Sequence, residues 1–317
     1  MSTYAIGVDL GGTTVKAGIV TNDGTILDQL SIPTDADQGP ERVTQQIIKA
    51  IKEISLKGDG KEIIGIGVAS PGMVGLDGNT VEAPPNFKRW DSFPLRDAVT
   101  DGLVNSAPVK VENDANAAAL AELKFGAGRG EDNFLFVIWG TGVGGGIIID
   151  GEIYHGRYGG AGEFGHTSID YNGPVCNCGN IGCIESFIGQ RYLSSRAAAV
   201  LEKRRESIVW NLVDGDSSRI EPKVLYDAAM EGDVAATEIM TEAGELLGAA
   251  ISSFMNVMNF DLAIVGGGVS YAGDLVFKPM NRRIKKNVLT PLRPVARAIP
   301  AQLGNKAGIL GAAGLVM

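Results

Sequence analysis

All three cysteines of the chain fall in the stretch Cys176-Asn177-Cys178-Gly179-Asn180-Ile181-Gly182-Cys183, and His166, one of only two histidines, stands ten residues upstream of it. An odd number of crowded thiols makes a poor disulfide framework. Three thiolates and an imidazole are instead the four N/S ligands that tetrahedral zinc takes in closed structural sites. Gly179 and Gly182 would let so short a knuckle turn. The cluster also reads as three reduced core thiols beside an unrelated histidine. The crowding favours a structural zinc held by His166, Cys176, Cys178 and Cys183.

The second chemical signal is glycine. The chain has 44 of them, roughly twice the usual share, and no collagen-like period. Three glycine loops, at 11–12, 140–146 and 266–268, each follow a strand-like run. Gly140-x-Gly142-x-x-Gly145 matches the dinucleotide fingerprint literally, but that motif must open a helix, whereas here a β-branched run follows. There is no Walker-type P-loop sequence. Backbone N–H groups freed by glycine, with the hydroxyls of Thr13, Thr14 and Thr141, make anion cradles at strand ends. The alternative is tight turns and nothing more. Asn113-Asp114-Ala115-Asn116 closes a strand and opens an alanine-rich helix. It reads equally as a helix N-cap and as a carboxylate placed to take a hydroxyl proton during phosphoryl transfer. Glu163, His166 and Glu185, beside the cysteine knuckle, suit a polyhydroxy ligand whose every hydroxyl both donates and accepts.

The elements that must position these residues follow from pattern. Ala5–Leu10 and Val15–Val20 are strands about the first glycine loop, Asn22-Asp23-Gly24 is a hairpin turn, and a third strand begins at Thr25. Apolar spacing predicts a helix from Pro40 to about Leu56, and buried strands over Glu62–Ala69 and Val109–Glu112. Asn133–Trp139, the loop 140–146, Ile147–Ile149, the Asp150-Gly151 turn and Glu152–Tyr154 then repeat the opening arrangement. A duplicated α/β unit facing itself across a cleft is one reading of this repeat, and chance similarity the other. Residues 186–260 read as mostly helical, a strand over Asp261–Val265 leads to Gly266-Gly267-Gly268, and the chain closes in a short apolar helix.

Composition sets the outer bounds. The 317 residues carry 37 acidic and 28 basic side chains, a net charge of −9, which argues against nucleic acid as a partner. Hydrophobic content of 44% and charged content of 21% fit a folded globular chain. No apolar run reaches the roughly 18 residues of a membrane span. The opening residues lack a basic segment and a signal peptide is not evident, so a cytoplasmic location is expected.

Taken together, these segments resemble the ROK family (repressors, open reading frames, sugar kinases) of the actin-like ATPase superfamily. Ile6–Thr13 is similar to that family's first phosphate loop, and Glu112-Asn113-Asp114-Ala115-Asn116-Ala117 to its catalytic segment. Trp139–Gly146 through Gly162-Glu163-Phe164-Gly165-His166 is similar to its signature region, and the cysteine stretch ending in Ile184-Glu185 to its zinc motif. The likeness runs over nearly the whole chain and is strongest to the glucokinase branch.

The resemblance implies a duplicated actin-like (ribonuclease H-like) α/β fold of two domains around a cleft. Residues 1–112, completed by a C-terminal helix at about 303–317, would form the smaller domain, and 113–302, with the zinc motif, the larger. It implies ATP-dependent phosphorylation of a hexose 6-hydroxyl, glucose being favoured, with ATP, Mg2+ and a structural Zn2+. Asp114 would be the general base. Asn113, Glu163, His166 and Glu185 would hold sugar hydroxyls, with lesser contacts from Gly72 and Asn86. Asp9 would stand near Mg2+ through water. Gly11, Gly12, Thr13, Thr14, Lys16, Thr141 and Gly142 would line the phosphates, and Gly267 and Gly268 the adenosine. Kinases for N-acetylmannosamine, N-acetylglucosamine, fructose or allose share most of these motifs, and polyphosphate is an alternative donor. A sugar-sensing member without catalysis would have lost the base, which is present here. Repressor members carry a DNA-binding segment ahead of the first loop, for which a start at Asp9 leaves no room. A homodimer or homotetramer is expected.

Overall fold

The first half is built on a sheet whose inner strands are buried along most of their length, as in a sheet covered on both faces, while the outer strand at 26–33 is partly exposed throughout. The structure, a computed structural model, describes residues 3–58, 60, 62–103 and 107–317. Strands β1 (Tyr4–Leu10), β2 (Thr14–Thr21) and β3 (Ile26–Pro33) form an antiparallel meander. Helix α1 (Pro40–Lys57) covers it with Val43, Ile47, Ile51 and Ile54, all buried, and begins with proline where the missing N–H costs nothing. Strand β4 (Ile63–Ser70) returns parallel to β1. A small antiparallel sheet of β5 (Met73–Val74), β6 (Thr80–Glu82) and β7 (Ser92–Pro94) follows, then α2 (Leu95–Asp101), β8 (Val109–Asn113) and α3 (Asp114–Phe125).

The second half contributes β9 (Phe134–Trp139), β10 (Val143–Ile149) and β11 (Glu152–Ile153). Helices α4 (Glu185–Ile188), α5 (Gln190–Leu201), α6 (Val209–Leu212), α7 (Pro222–Met230) and α8 (Val234–Met258) come next. The chain ends with β12 (Leu262–Gly266), α9 (Asp274–Asn287), β13 (Arg297–Pro300) and α10 (Ala307–Gly314). The two five-stranded sheets have the same plan. The first has the order β3-β2-β1-β4-β8 and the second β11-β10-β9-β12-β13. In each, the third strand pairs antiparallel with the second, and the first, fourth and fifth run parallel. The repeat seen in the sequence is therefore a repeat of topology.

The glycine-rich stretch after β9 is shorter as a loop than expected. Only residues 140–142 lie outside strands, because Val143–Gly146 are already part of β10. Glycine there serves packing rather than turning: a Cβ on Gly146 would stand 3.0 Å from the Ala115 carbonyl oxygen of α3.

The chain divides into two compact units, Met1–Asp132 with Gly146–Gly162 and Gln302–Met317, and Asn133–Gly145 with Glu163–Ala301. The boundary expected at 112/113 falls inside the first unit. Helix α3 stays with the N-terminal residues because α10 lies along it, with Gly311 against the Ala117 carbonyl. Fully buried Glu122 of α3 also accepts the backbone N–H of Ala127 at 2.7 Å, Gln302 at 3.0 Å and Leu303 at 2.9 Å, tying the returning C-terminal segment to the helix. On its other side α10 meets the sheet, where a Cβ on Gly7 or Gly67 would overlap the carbonyls of Ile309 and Ala312. No helix among the described residues is long and apolar enough to cross a membrane.

Gly67→Ala should therefore force α10 off its sheet and lower stability by at least about 2 kcal/mol. Urea unfolding measures this, and an unchanged midpoint would show that α10 can shift at no cost.

Candidate functional site

In the first unit, the loop between β1 and β2 is held from outside. Thr34, fully buried just after β3, donates its hydroxyl to the Gly11 carbonyl at 2.6 Å and its N–H to the Thr13 carbonyl at 3.0 Å. With both carbonyls occupied, Gly12 and Thr13 lie exposed at the tip of the loop. Thr14 begins β2. Asp9 and Lys16 face each other across β1 and β2 with a 3.4 Å ion pair. The Asp9 carboxylate sits against α10, where a Cβ on Gly308 would lie 2.5 Å from it.

The catalytic candidates occupy the junction of β8 and α3. Asn113 is the N-cap: its Oδ1 accepts the N–H of Ala115 at 2.9 Å and of Asn116 at 3.1 Å. Asp114 is thus spared the capping task, and its exposed carboxylate meets the Ala115 N–H at 2.8 Å. Asn113 Nδ2 donates to the Gly72 carbonyl at 2.9 Å, which brings Gly72 to the same junction. Gly72 has φ +89°, a conformation glycine adopts without strain. Asn86 stands exposed in the loop between β6 and β7 with φ +69°.

In the second unit, the Sγ and ring-nitrogen atoms of His166, Cys176, Cys178 and Cys183 all lie within 4.8 Å of one another. Cys178 and Cys183 are 3.7 Å apart, and Cys176 is 3.7 Å from His166 Nδ1. An ion with tetrahedral metal–sulfur bonds of about 2.3 Å sets its ligands about 3.8 Å apart, so the cluster has the right size for one. Burial, with the neighbouring thiols, pushes Cys183 up to about 12. His166 presents its other nitrogen, Nε2, to the exposed Glu163 at 3.9 Å. One imidazole thus faces the thiols on one edge and a carboxylate on the other.

Glu185 joins this cluster to the second glycine loop. Its Oε1 lies 3.8 Å from Cys176 Sγ, and its Oε2 accepts the Val143 N–H at 2.9 Å. A Cβ on Gly142 would crowd that carboxylate, so a larger residue there would push Glu185 aside. Thr141 is exposed at the loop tip and opens on a cavity of about 660 Å³ lined by Arg191, Ser194, Ser195, Ser218 and Arg219. Gly267, with φ +89°, packs against the Trp139 backbone, and Gly268 borders a second cavity of about 280 Å³ walled by Tyr226, Met240, Val269 and Tyr271.

The site residues thus form two groups, one in each unit, each braced by side chains. The model of the ROK family matches residues 5–317. The chain belongs to the ROK family. It is 36% identical to the glucokinase of Thermotoga maritima over 98% of this chain and 96% of that protein, and 39% identical to the glucokinase of Streptomyces coelicolor with the same coverage. Its fold is similar to the crystal structure of a ROK family glucokinase from Streptomyces griseus in complex with glucose and AMPPNP, with a TM-score of 0.83, 37% identity and 98% coverage of both chains. The family and the actin-like fold implied by the sequence motifs are therefore those of the molecule.

Motif reading singled out neither Thr34 nor His155, although each holds a motif residue or its neighbour. Thr34 lies outside every motif, and only the fold carries it to Gly11. His155 stands in the segment after β11, and its Nε2 lies 2.7 Å from Glu112 Oε2. Nothing in the residues around His155 marks it; only its partner Glu112 belongs to a segment that the motifs single out.

Thr34→Val removes a hydroxyl of nearly equal size and leaves the Gly11 carbonyl without its donor. A loss of about 1–2 kcal/mol is expected, measured by denaturant unfolding. No change would mean that the loop holds itself.

Proposed function

We propose that this ROK protein transfers the γ-phosphoryl group of ATP to the 6-hydroxyl of glucose. The observation that carries the reading is the full-length likeness to glucokinases, one of them solved with glucose and AMPPNP, together with an exposed Asp114 that the N-cap does not consume. In this reading Asp114 takes the proton of the sugar hydroxyl as its oxygen forms a bond to the γ-phosphorus and the bond to ADP breaks. Asn113, Glu163, His166 and Glu185 hold the remaining hydroxyls, with Gly72 and Asn86 in supporting contacts.

Mg2+ arrives with the nucleotide as part of the substrate and is met through water by Asp9. Gly11, Gly12, Thr13, Thr14, Lys16, Thr141 and Gly142 line the phosphates. Gly267 and Gly268 border the adenosine, for which the cavity between Tyr226, Val269 and Tyr271 offers apolar walls of suitable size. We assign zinc to His166, Cys176, Cys178 and Cys183, the donor set and spacing being those of a closed tetrahedral site. A zinc ion held there would supply structure rather than redox or acid–base chemistry, and His166, with Nδ1 toward the thiols, would keep Nε2 turned to Glu163 and the sugar. A cytoplasmic location suits a kinase that uses ATP and whose three cysteines are free.

An ADP-release assay over glucose, mannose, fructose and the N-acetylhexosamines tests the activity. Glucose should give the highest kcat/KM, and no hexose-dependent ADP release would overturn the reading. Asp114→Ala should reduce kcat by about 10²–10⁴ while the protein stays folded, and near-normal turnover would remove Asp114 from its role. Freshly purified protein should carry about one zinc per chain by elemental analysis, and Cys178→Ser should lose zinc and thermal stability together. Metal-free wild type of full stability would overturn the zinc assignment.

A further inference from the structure

Glu112 is the last residue before the Asn113-Asp114 pair, and it is nine-tenths buried. Its two carboxylate oxygens have different tasks. Oε1 accepts the Asn113 N–H at 2.8 Å and Asn116 Nδ2 at 3.0 Å. Oε2 takes one bond among the described residues, from His155 Nε2 at 2.7 Å. A carboxylate only accepts, so the imidazole donates there. The Asn113 backbone and the side chain one turn into α3 thus hang from one oxygen, and the orientation of that carboxylate is set through the other.

The network is retained at a cost. Asn116 spends its Nδ2 on Glu112 and leaves Oδ1 buried without a partner among the described residues, a defect worth about 1–3 kcal/mol in general. His155 lies on the segment after β11, eight residues before Glu163, and is closed into a turn by the Ala161 N–H on its carbonyl at 3.2 Å. It is half-exposed, so it can exchange protons with solvent.

We propose that His155 is a positioning residue for phosphoryl transfer: by fixing the Glu112 carboxylate it holds the start of α3, and with it Asp114, in one orientation. The inference rests on the reading of Asp114 as the base. Glu112, from β8, is the ionisable group that acts on His155 among the described residues, and its hydrogen bond holds the imidazole above its ordinary value against a smaller opposing effect of burial. The sign follows from that direction. The charged clamp is complete below the ordinary histidine value and is lost as pH rises through the raised one. Arginine at 155 would keep the charge at every accessible pH.

The test compares His155→Gln and His155→Arg with wild type in the ADP-release assay from pH 6 to 9, alongside amide hydrogen exchange. His155→Gln should lose about tenfold to a hundredfold in kcat at neutral pH, with KM for glucose and ATP within about twofold. His155→Arg should keep most of kcat and lack the alkaline decline of the wild type. Exchange at Asn113, Ala115 and Asn116 should quicken by at least about tenfold in His155→Gln, while the amides of α1 stay as they were. A His155→Gln kcat within twofold of wild type, a loss confined to KM, an identical alkaline decline in His155→Arg, or unchanged exchange at 113–116 would each overturn the proposal. Absence of any hexose-dependent turnover in the wild type would overturn the kinase reading instead, and the exchange measurement would then decide the role of His155 by itself.

Discussion

Helix α10 approaches both the first sheet and α3 so closely that at several positions there is no room for a Cβ. Side chains on Gly7, Gly67 or Gly311 would run into the backbone carbonyls of Ile309, Ala312 and Ala117. Contact at that distance removes apolar backbone and alanine surface from water with little side-chain entropy to lose. It also makes the position of α3 a consequence of the last residues of the chain. Asp9 depends on the same contact, since its carboxylate occupies the space that Gly308 leaves. Two of the residues proposed for chemistry in the first unit are thus located by one helix that itself carries none of it.

Within this frame each hairpin glycine loop is tied by a single polar side chain from elsewhere in its unit. Thr34 holds the first, by hydroxyl and N–H together. Glu185 holds the second by accepting the Val143 N–H. A glycine loop is free to approach an anion because it lacks side chains, and for the same reason it has a large conformational entropy to lose. The outside anchor offsets that loss without covering the tip. In the second unit the anchor also touches the thiol cluster, so an ion bound there would stiffen the loop through one carboxylate.

Much of this was legible in the sequence because it rests on local signals. The doubled order of strands and turns showed in the spacing of apolar runs and Asp-Gly pairs, and the thiol–imidazole cluster in the crowding of Cys176, Cys178 and Cys183 near one histidine. The choice between cap and base at 113–116 stayed open, since Asn and Asp both cap helices; only the bonds of Asn113 decide which residue caps. The run after β9 misled because glycine marks both turns and close packing, and Gly146 serves the second. The division at 112/113 differed from the compact units because α3 is bound to residues some 190 positions further on, through Glu122 and Gly311. Thr34 and His155 carry no local signal at all.

A chain with net charge −9 that is to hold a triphosphate cannot rely on its overall field, which repels the ligand. The arrangement of each unit suggests how the repulsion is offset. Lys16, on the strand that follows the first loop, is paired with Asp9, and Arg219, on the cavity beside Thr141, is paired with Asp214. Pairing weakens the pull of both cations, and in the proposed phosphate site oriented N–H and hydroxyl dipoles at the loop tips, which act at short range and need no net charge, would carry a larger share of recognition. Such dipoles hold phosphates only while the loops keep their shape. A buried Thr34, a Glu185 beside the thiol cluster and the Glu112 network each fix backbone rather than add charge, which is what such a site would need.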